Sequence, residues 1–302
     1  MKKVFIINEE FENTRIDRWL KKNVCNIPQS LIEKNLRKGN IKVNSKKEKS
    51  SFKLKKNDKV ELNNFKYTNR KNNKQIPYHP TKLDLKYSNN IFIEDNANFS
   101  VINKPAGIAV QSGTKSKRNI IDILRKTKEF NGFSPYTVHR IDKETTGILI
   151  VAKNRKYAQL FTSLFRIRKI HKTYLGISVG EFEKKSGTFN DYLYYYEGKK
   201  EVKTKAITHF KVLDSNNNYT LLKLNPETGR KHQIRKQLYL HGYPILGDSK
   251  YRISDNKFRK NNNLMLHAYK INFSINNVKY KFVAKPSDDF NIVLKEKHLK
   301  IY

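Results

Sequence analysis

Apolar positions in the first sixty residues recur at helical spacing and then alternate. Ile16, Trp19 and Leu20 form one apolar face, with Thr14 expected as the helix cap and Asp17 as its capping-box partner. A second stripe, Leu31, Ile32 and Leu36, follows Pro28, which suits a first-turn position, and stops at Gly39. Residues 41–44 alternate like a strand. A turn at Lys56-Asn57-Asp58 leads into a further alternating run at 59–62. From residue 63 to about 85 the chain is poor in apolar residues and rich in Asn and Lys, the composition of a linker.

Beyond Tyr87 the strand-like pattern dominates. Residues 91–94 and 99–103 flank Asp95-Asn96-Ala97-Asn98 and predict a hairpin. Residues 148–152 are a continuous apolar run, expected as a buried strand fed by a turn at Thr145, Thr146 and Gly147. A helix is expected over 156–168 with Leu160, Leu164 and Ile167 on one face. In 172–180, alternation separates Thr173, Leu175, Ile177 and Val179 from Tyr174, Gly176 and Ser178. The pattern predicts an α+β protein. A small α+β module occupies 1–75 and a linker 76–86. The domain over 87–302 is built on a mixed, largely antiparallel β-sheet with flanking helices.

Charge narrows the partners. The 302 residues carry 63 Lys and Arg against 27 Asp and Glu, a formal net charge of +36, which calls for a polyanion. No apolar run approaches the roughly 20 residues that span a bilayer, so no membrane role is expected. Residues 4–7 are too short for a secretory signal core, and acids follow at once. The single cysteine, Cys25, leaves no internal disulfide or cysteine metal cluster, and a cytoplasmic location is expected. No helical His-Glu-x-x-His pair and no phosphate-cradling glycine loop occur, so neither a metal nor a nucleotide cofactor is expected. A monomer is expected.

The chemistry concentrates in three stretches. The first is Val138-His139-Arg140-Ile141-Asp142-Lys143-Glu144-Thr145-Thr146-Gly147, which sets one carboxylate, Asp142, on a loop at the mouth of the core strand. The second is Lys172-Thr173-Tyr174-Leu175-Gly176, where a large aromatic beside small residues suits a concavity for a flat base. The third is Gly229-Arg230-Lys231-His232-Gln233-Ile234-Arg235, a turn into a helix that carries Arg235, whose planar fork matches a carboxylate. Taken alone, Asp142 reads as a loop acid paired with a neighbour, and Tyr174 reads equally as sheet cover.

The three stretches, with Lys104-Pro105-Ala106-Gly107 ahead of them, resemble the RluA family of pseudouridine synthases. Residues 107–113 are similar to its RluC-like subgroup. Thr146 stands where the family usually has Ser, which keeps the hydroxyl. The resemblance implies isomerisation of uridine within RNA, with large-subunit ribosomal RNA as the expected partner; the alternatives are a tRNA synthase of the same family and a non-catalytic RNA-binding assembly factor. It implies Asp142, Arg235 and Tyr174 as catalytic residues: Arg235 ion-paired to Asp142, and Tyr174 packed on the uracil. It also implies substrate contacts from Arg140, His139, Ile234, Lys104 and Arg230, with Arg140 aiding base flipping. Asp142 could attack the ribose anomeric carbon or act as a base at the neighbouring carbon, and the residues leave that choice open. The N-terminal module is similar to the RNA-binding module of ribosomal protein S-four, which implies RNA contacts from Arg15, Arg18, Lys34, Arg37, Lys38 and Lys42.

Overall fold

The computed structural model divides between Ile76 and Pro77 into two units. It describes residues 2–24, 27–63, 78–88, 90–113, 117–197, 200–252 and 263–301. Cys25 and residues 64–77, the larger part of the Asn- and Lys-rich stretch, lie outside the described residues.

The first unit contains β1 (Lys2–Ile6), α1 (Ile16–Asn23), α2 (Gln29–Lys38), β2 (Ile41–Val43) and β3 (Lys59–Asn63). Its strands form an antiparallel sheet in the order β1-β3-β2. Ile16, Trp19, Leu20, Ile32 and Leu36 close a core with Ile41, Val43, Val60 and Leu62. The α2 helix stops at Gly39, whose φ of 80° supplies the left-handed turn that most side chains resist. Two local expectations change. Arg15, not Thr14, is the N-cap of α1 and forms no side-chain cap. Asp17 instead accepts from Arg15 at 3.1 and 2.6 Å and from the Arg18 backbone N–H at 2.7 Å. Leu31 points outward at 38% exposure, because the helical arc that meets the sheet is narrower than three adjacent positions.

The second unit opens with α3 (Lys82–Ser88), which begins in the stretch expected as linker and runs past its end at residue 86. Its composition is polar, yet Asp84 is buried and accepts from Tyr78 Oη at 2.7 Å, from the Thr81 hydroxyl at 2.9 Å and from Arg118 Nε at 3.0 Å. A hydrogen-bonded carboxylate, rather than an apolar stripe, ties this helix to the unit. Next come β4 (Phe92–Asp95), β5 (Phe99–Lys104), α4 (Ile120–Leu124), β6 (Tyr136–Thr137), β7 (Thr146–Ala152) and α5 (Arg155–Arg166). The chain continues through β8 (His171–Val179), β9 (Ser186–Glu197), β10 (Lys200–Ser215), β11 (Tyr219–Pro226) and α6 (Gln233–Leu240). It ends with β12 (Leu266–Ile275), β13 (Val278–Val283) and α7 (Asp288–Glu296).

The sheet runs β4-β5-β7-β12-β8-β11-β10-β9, with β13 beside β12 and β6 beside β7. Every pairing is antiparallel except β7 with β12, so the sheet is mixed and largely antiparallel. β7 lies inside it, and all seven of its residues are buried, as a continuous apolar run requires. Thr146 and Gly147 belong to this strand rather than to a turn before it. Gly147, at φ 105°, lets β7 approach β12; a Cβ there would stand 2.3 Å from the Ala268 carbonyl oxygen. On α5, Phe161 is the buried anchor and Ile167 is 55% exposed, so the buried arc is rotated from the expected stripe.

Candidate active site

The parallel β7–β12 pair sets the site. Beside Gly147, the Thr146 hydroxyl donates to His267 Nδ1 at 2.8 Å, and His267 Nε2 donates to the Ala284 carbonyl at 3.1 Å. That assignment makes His267 a neutral imidazole, and burial lowers its pKa accordingly. The strand mouth is thereby clamped from both sides. The loop before it, residues 138–145, is held from beneath by Lys104.

Lys104 is fully buried and donates to the carbonyls of Pro105 at 2.7 Å, Ile108 at 3.0 Å and Lys143 at 3.0 Å. Three acceptors use all three N–H bonds of an ammonium. Burial pulls the amine down to about 7, opposed by the charges of Glu144 and Asp142. Lys104 was expected to touch substrate. It does not line the cleft; it secures the peptide that follows Asp142.

A cleft of about 690 Å³ opens above this loop. It is lined by His139, Arg140, Asp142, Tyr174, Arg230, Ile234 and Arg235, residues drawn from the three separate sequence stretches. Asp142 Oδ2 accepts from Arg235 Nη1 at 3.2 Å, and His232 Nε2 lies 3.7 Å from Asp142 Oδ1. Arg235 is anchored in turn. Its Nε and Nη2 donate to the two oxygens of Asp248 at 2.7 and 2.8 Å. Asp248 also accepts from the backbone N–H groups of Lys250 and Tyr251. Its burial would raise its pKa, but Arg235 and those two N–H groups outweigh it and hold the group low. Burial likewise opposes the Arg235 charge, and Asp248 together with Asp142 carries its pKa upward. The Arg235 fork is therefore committed to Asp248, and its remaining corner presents to Asp142.

The rest of the wall is assigned by local bonds. His232 takes a left-handed backbone at φ 54° as the N-cap of α6, which turns its ring toward Asp142; its Nδ1 lies 3.0 Å from the Tyr251 hydroxyl. Burial lowers its pKa, only partly offset by Asp142. His139 Nε2 accepts the Ile150 backbone N–H at 2.8 Å, and the ring stacks on Phe165. Burial and the charge of Lys172 push His139 down to about 3, so it is a neutral strut of the wall. Tyr174 packs between two core clusters while lining the cleft. Burial and the nearby Asp142 push its phenol up, so Tyr174 lines the cleft as a protonated phenol. Arg230 Nε donates to the Lys205 carbonyl at 3.1 Å, and Ile234 is buried at the cleft floor.

Arg140 is exposed and, among the described residues, forms no hydrogen bond or ion pair. It shares the rim with Arg166, Arg168, Lys172, Arg230 and Lys231. Besides Asp142, the acid on this wall is Glu227, which is engaged by His209 Nε2 at 2.6 Å. The cavity is thus a carboxylate inside a ring of cations, suited to bring an anionic chain onto one reactive acid. Among the described residues no cluster of three or more metal-ligating side chains occurs. Sequence reasoning missed Asp248 and Tyr251 as parts of the site. Asp248 stands 13 residues beyond Arg235 with no helical or strand period linking them, so only folding discloses the pair.

In the first unit, Arg18, Lys34, Arg37 and Lys38 are exposed and Lys42 is half-buried. Arg15, with 42% of its side chain exposed, is ion-paired to Asp17 at 2.6 Å.

Comparison with known proteins follows the same residues. A family model described as RNA pseudouridylate synthase matches residues 98–239, a span that holds Asp142, Tyr174 and Arg235 and ends before Asp248. The ribosomal large subunit pseudouridine synthase C of Buchnera aphidicola subsp. Baizongia pistaciae is 35% identical over 284 residues, covering 88% of each chain. The protein of the same name from Rickettsia conorii is 34% identical over 250 residues, covering 79% of this chain and 82% of that one. Among solved structures, human RNA pseudouridylate synthase domain containing 4 superposes with a TM-score of 0.63 at 25% identity, covering 72% of this chain and 97% of that one.

Proposed function

The chain belongs to the family of RNA pseudouridylate synthases, and we propose that it converts uridine to pseudouridine within large-subunit ribosomal RNA, with Asp142 as the essential carboxylate. One observation carries the assignment of Asp142: it is the carboxylate in the cation-lined cleft that receives a corner of Arg235 while Asp248 locks the rest of that fork.

The reaction breaks the bond from ribose to the base nitrogen, turns the base and joins the ribose to carbon five. No oxidant and no phosphate energy are required. Asp142 serves either as nucleophile at the anomeric carbon or as base at the adjacent ribose carbon. Tyr174 offers the flat wall against which uracil stacks, and its raised pKa keeps it a phenol throughout. The base reaches this cavity only by leaving its stack. Arg140, exposed at the rim and without an ion pair among the described residues, is placed to fill the vacated space or to grip a phosphate. The first unit adds a second RNA contact through Arg18, Lys34, Arg37, Lys38 and Lys42, in the manner of the S-four module. Names of the bacterial relatives support ribosomal RNA as the substrate.

The test is pseudouridine mapping of total RNA from cells with and without this protein, together with unmodified large-subunit rRNA transcripts treated with pure enzyme. Sites that disappear from the rRNA in cells and reappear in the transcript are the expected result. Losses confined to tRNA would overturn the substrate assignment, and no conversion by the pure enzyme would overturn the activity.

A further inference from the structure

Lys172 is a cation that the preceding mechanism does not use. It stands two residues before Tyr174 on β8, so alternation brings both side chains to one face, and both line the cleft. The residue is half-buried in the cleft wall, and burial lowers its pKa. Nearby lie His139, which is neutral, and the Gly229 turn, where a Cβ would stand 3.9 Å from Lys172 Nζ.

What distinguishes Lys172 is the missing partner. Among the described residues, the fully buried cations of this unit are all matched. Lys104 donates to three carbonyls, Lys153 to Asp95 at 2.8 Å, and Arg235 to two carboxylates. Lys172 Nζ forms no hydrogen bond or ion pair among the described residues. A half-buried ammonium without a counter-charge carries a desolvation cost that no partner offsets, and it contributes little to the fold. Such a group is consistent with a site where negative charge arrives during the reaction.

Resting on the function proposed above, we infer that the Lys172 ammonium stabilises the negative charge that uracil carries while it is detached from ribose. When the bond between the base nitrogen and the anomeric carbon breaks, its electron pair stays on the uracil and spreads to the carbonyl oxygens. The ribose side is satisfied by Asp142, through a bond to the anomeric carbon or by removal of the adjacent proton. When carbon five bonds to the anomeric carbon, the Asp142 ester bond breaks and frees the carboxylate, or, by the other route, the proton returns to the adjacent ribose carbon. The base is then neutral, and it stays so as carbon five loses its proton and the freed ring nitrogen gains one. Uracil is neutral before and after, so the ammonium acts on the detached state far more than on bound substrate. That is the condition for accelerating the step rather than tightening binding.

The experiment compares wild type, K172M and K172R on an unmodified large-subunit rRNA transcript, and on the same RNA transcribed with 4-thiouridine in place of uridine. Sulfur makes the departing base a better leaving group. K172M is expected to lose about 10²- to 10³-fold in kcat with KM changed by less than roughly threefold. K172R should recover part of the loss. On the thio-RNA the K172M deficit should shrink. A loss confined to KM would overturn the inference in favour of a phosphate anchor. A wild-type kcat in K172M, or an equal deficit on both RNAs, would overturn it as well. K172Q carries the same comparison if K172M does not fold, judged by circular dichroism. Failure of the wild type to convert either RNA would overturn the proposed function itself, a result read without any variant.

Discussion

Asp142 and Asp248 share one arginine and are set apart by exposure. Asp142 reaches the cleft with 22% of its side chain accessible, whereas Asp248 is sealed at 0%. Their removal therefore has different consequences. D142N leaves Arg235 held by Asp248, so the fold and RNA affinity should persist while pseudouridine formation falls below detection; turnover within about tenfold of wild type would refute its role. D248N leaves a buried guanidinium without its main counter-charge. It should cost about 3–5 kcal/mol of stability by denaturant unfolding and also slow catalysis, since Arg235 loses its orientation. A D248N protein as stable as D142N would show that the bidentate pair does not hold the site. The sequence marked Asp142 and Arg235 through their motifs. It did not pair Asp248 with Arg235, because the acceptor of a buried arginine is chosen by where a distant loop comes to rest.

At the scale of elements, the site depends on two strands that meet over only two residue pairs, His267 with Thr146 and Ala268 with Gly147. The close contact is possible because residue 147 has no side chain. G147A would place a methyl group against the Ala268 backbone at a positive φ, and should destabilise by roughly 3 kcal/mol and displace the Asp142 loop. Lowered denaturant midpoints and lowered kcat should appear together. Retained stability would mean that β12 can yield. The two expected helical faces that proved rotated, at Leu31 and Ile167, illustrate the limit of periodicity. Spacing identifies a helix and its approximate stripe, but the partner surface decides which edge of the stripe is covered. α3 escaped notice for the same reason, since its tie is a buried carboxylate rather than an apolar face.

For the whole molecule, each unit closes its own core. The first unit's buried cluster contains no residue of the second, and the second unit's three clusters contain none of the first. Residues 77–302 expressed alone should thus fold and keep the Asp142 site. If the first unit supplies phosphate contacts, its removal should flatten the salt dependence of RNA affinity. With about six contacts, affinity falls roughly a thousandfold from 50 to 200 mM salt. An unchanged slope in the truncated protein would assign the contacts to the second unit. Acid should also weaken the fold in a defined window. His139 is pushed down to about 3, and His267 is lowered by burial. The unfolded chain takes up these protons near pH 6.5 while the folded chain resists. Stability should therefore decline as pH drops below about 6.5, by up to ~1.4 kcal/mol per pH unit for each histidine, until the folded groups titrate. Urea unfolding between pH 7 and 4 measures the slope, and H139Q should reduce it.

Local pattern was sufficient for the strands and for most helices, because alternation, apolar runs and turn residues express preferences that each segment holds on its own. It was also sufficient for the chemistry-bearing stretches, where an acid, an aromatic and an arginine stand in recognisable local contexts. The meeting of those stretches around one cleft depended on the tertiary fold. So did the burial of Lys104 beneath the Asp142 loop, the pairing of Arg15 with Asp17, the anchoring of Arg235 by Asp248 and the isolation of Lys172. Each of these concerns a charged group, and a charged group takes its role from its partners and its exposure to water. Both are properties of chain segments brought together in space, which no short stretch of sequence contains.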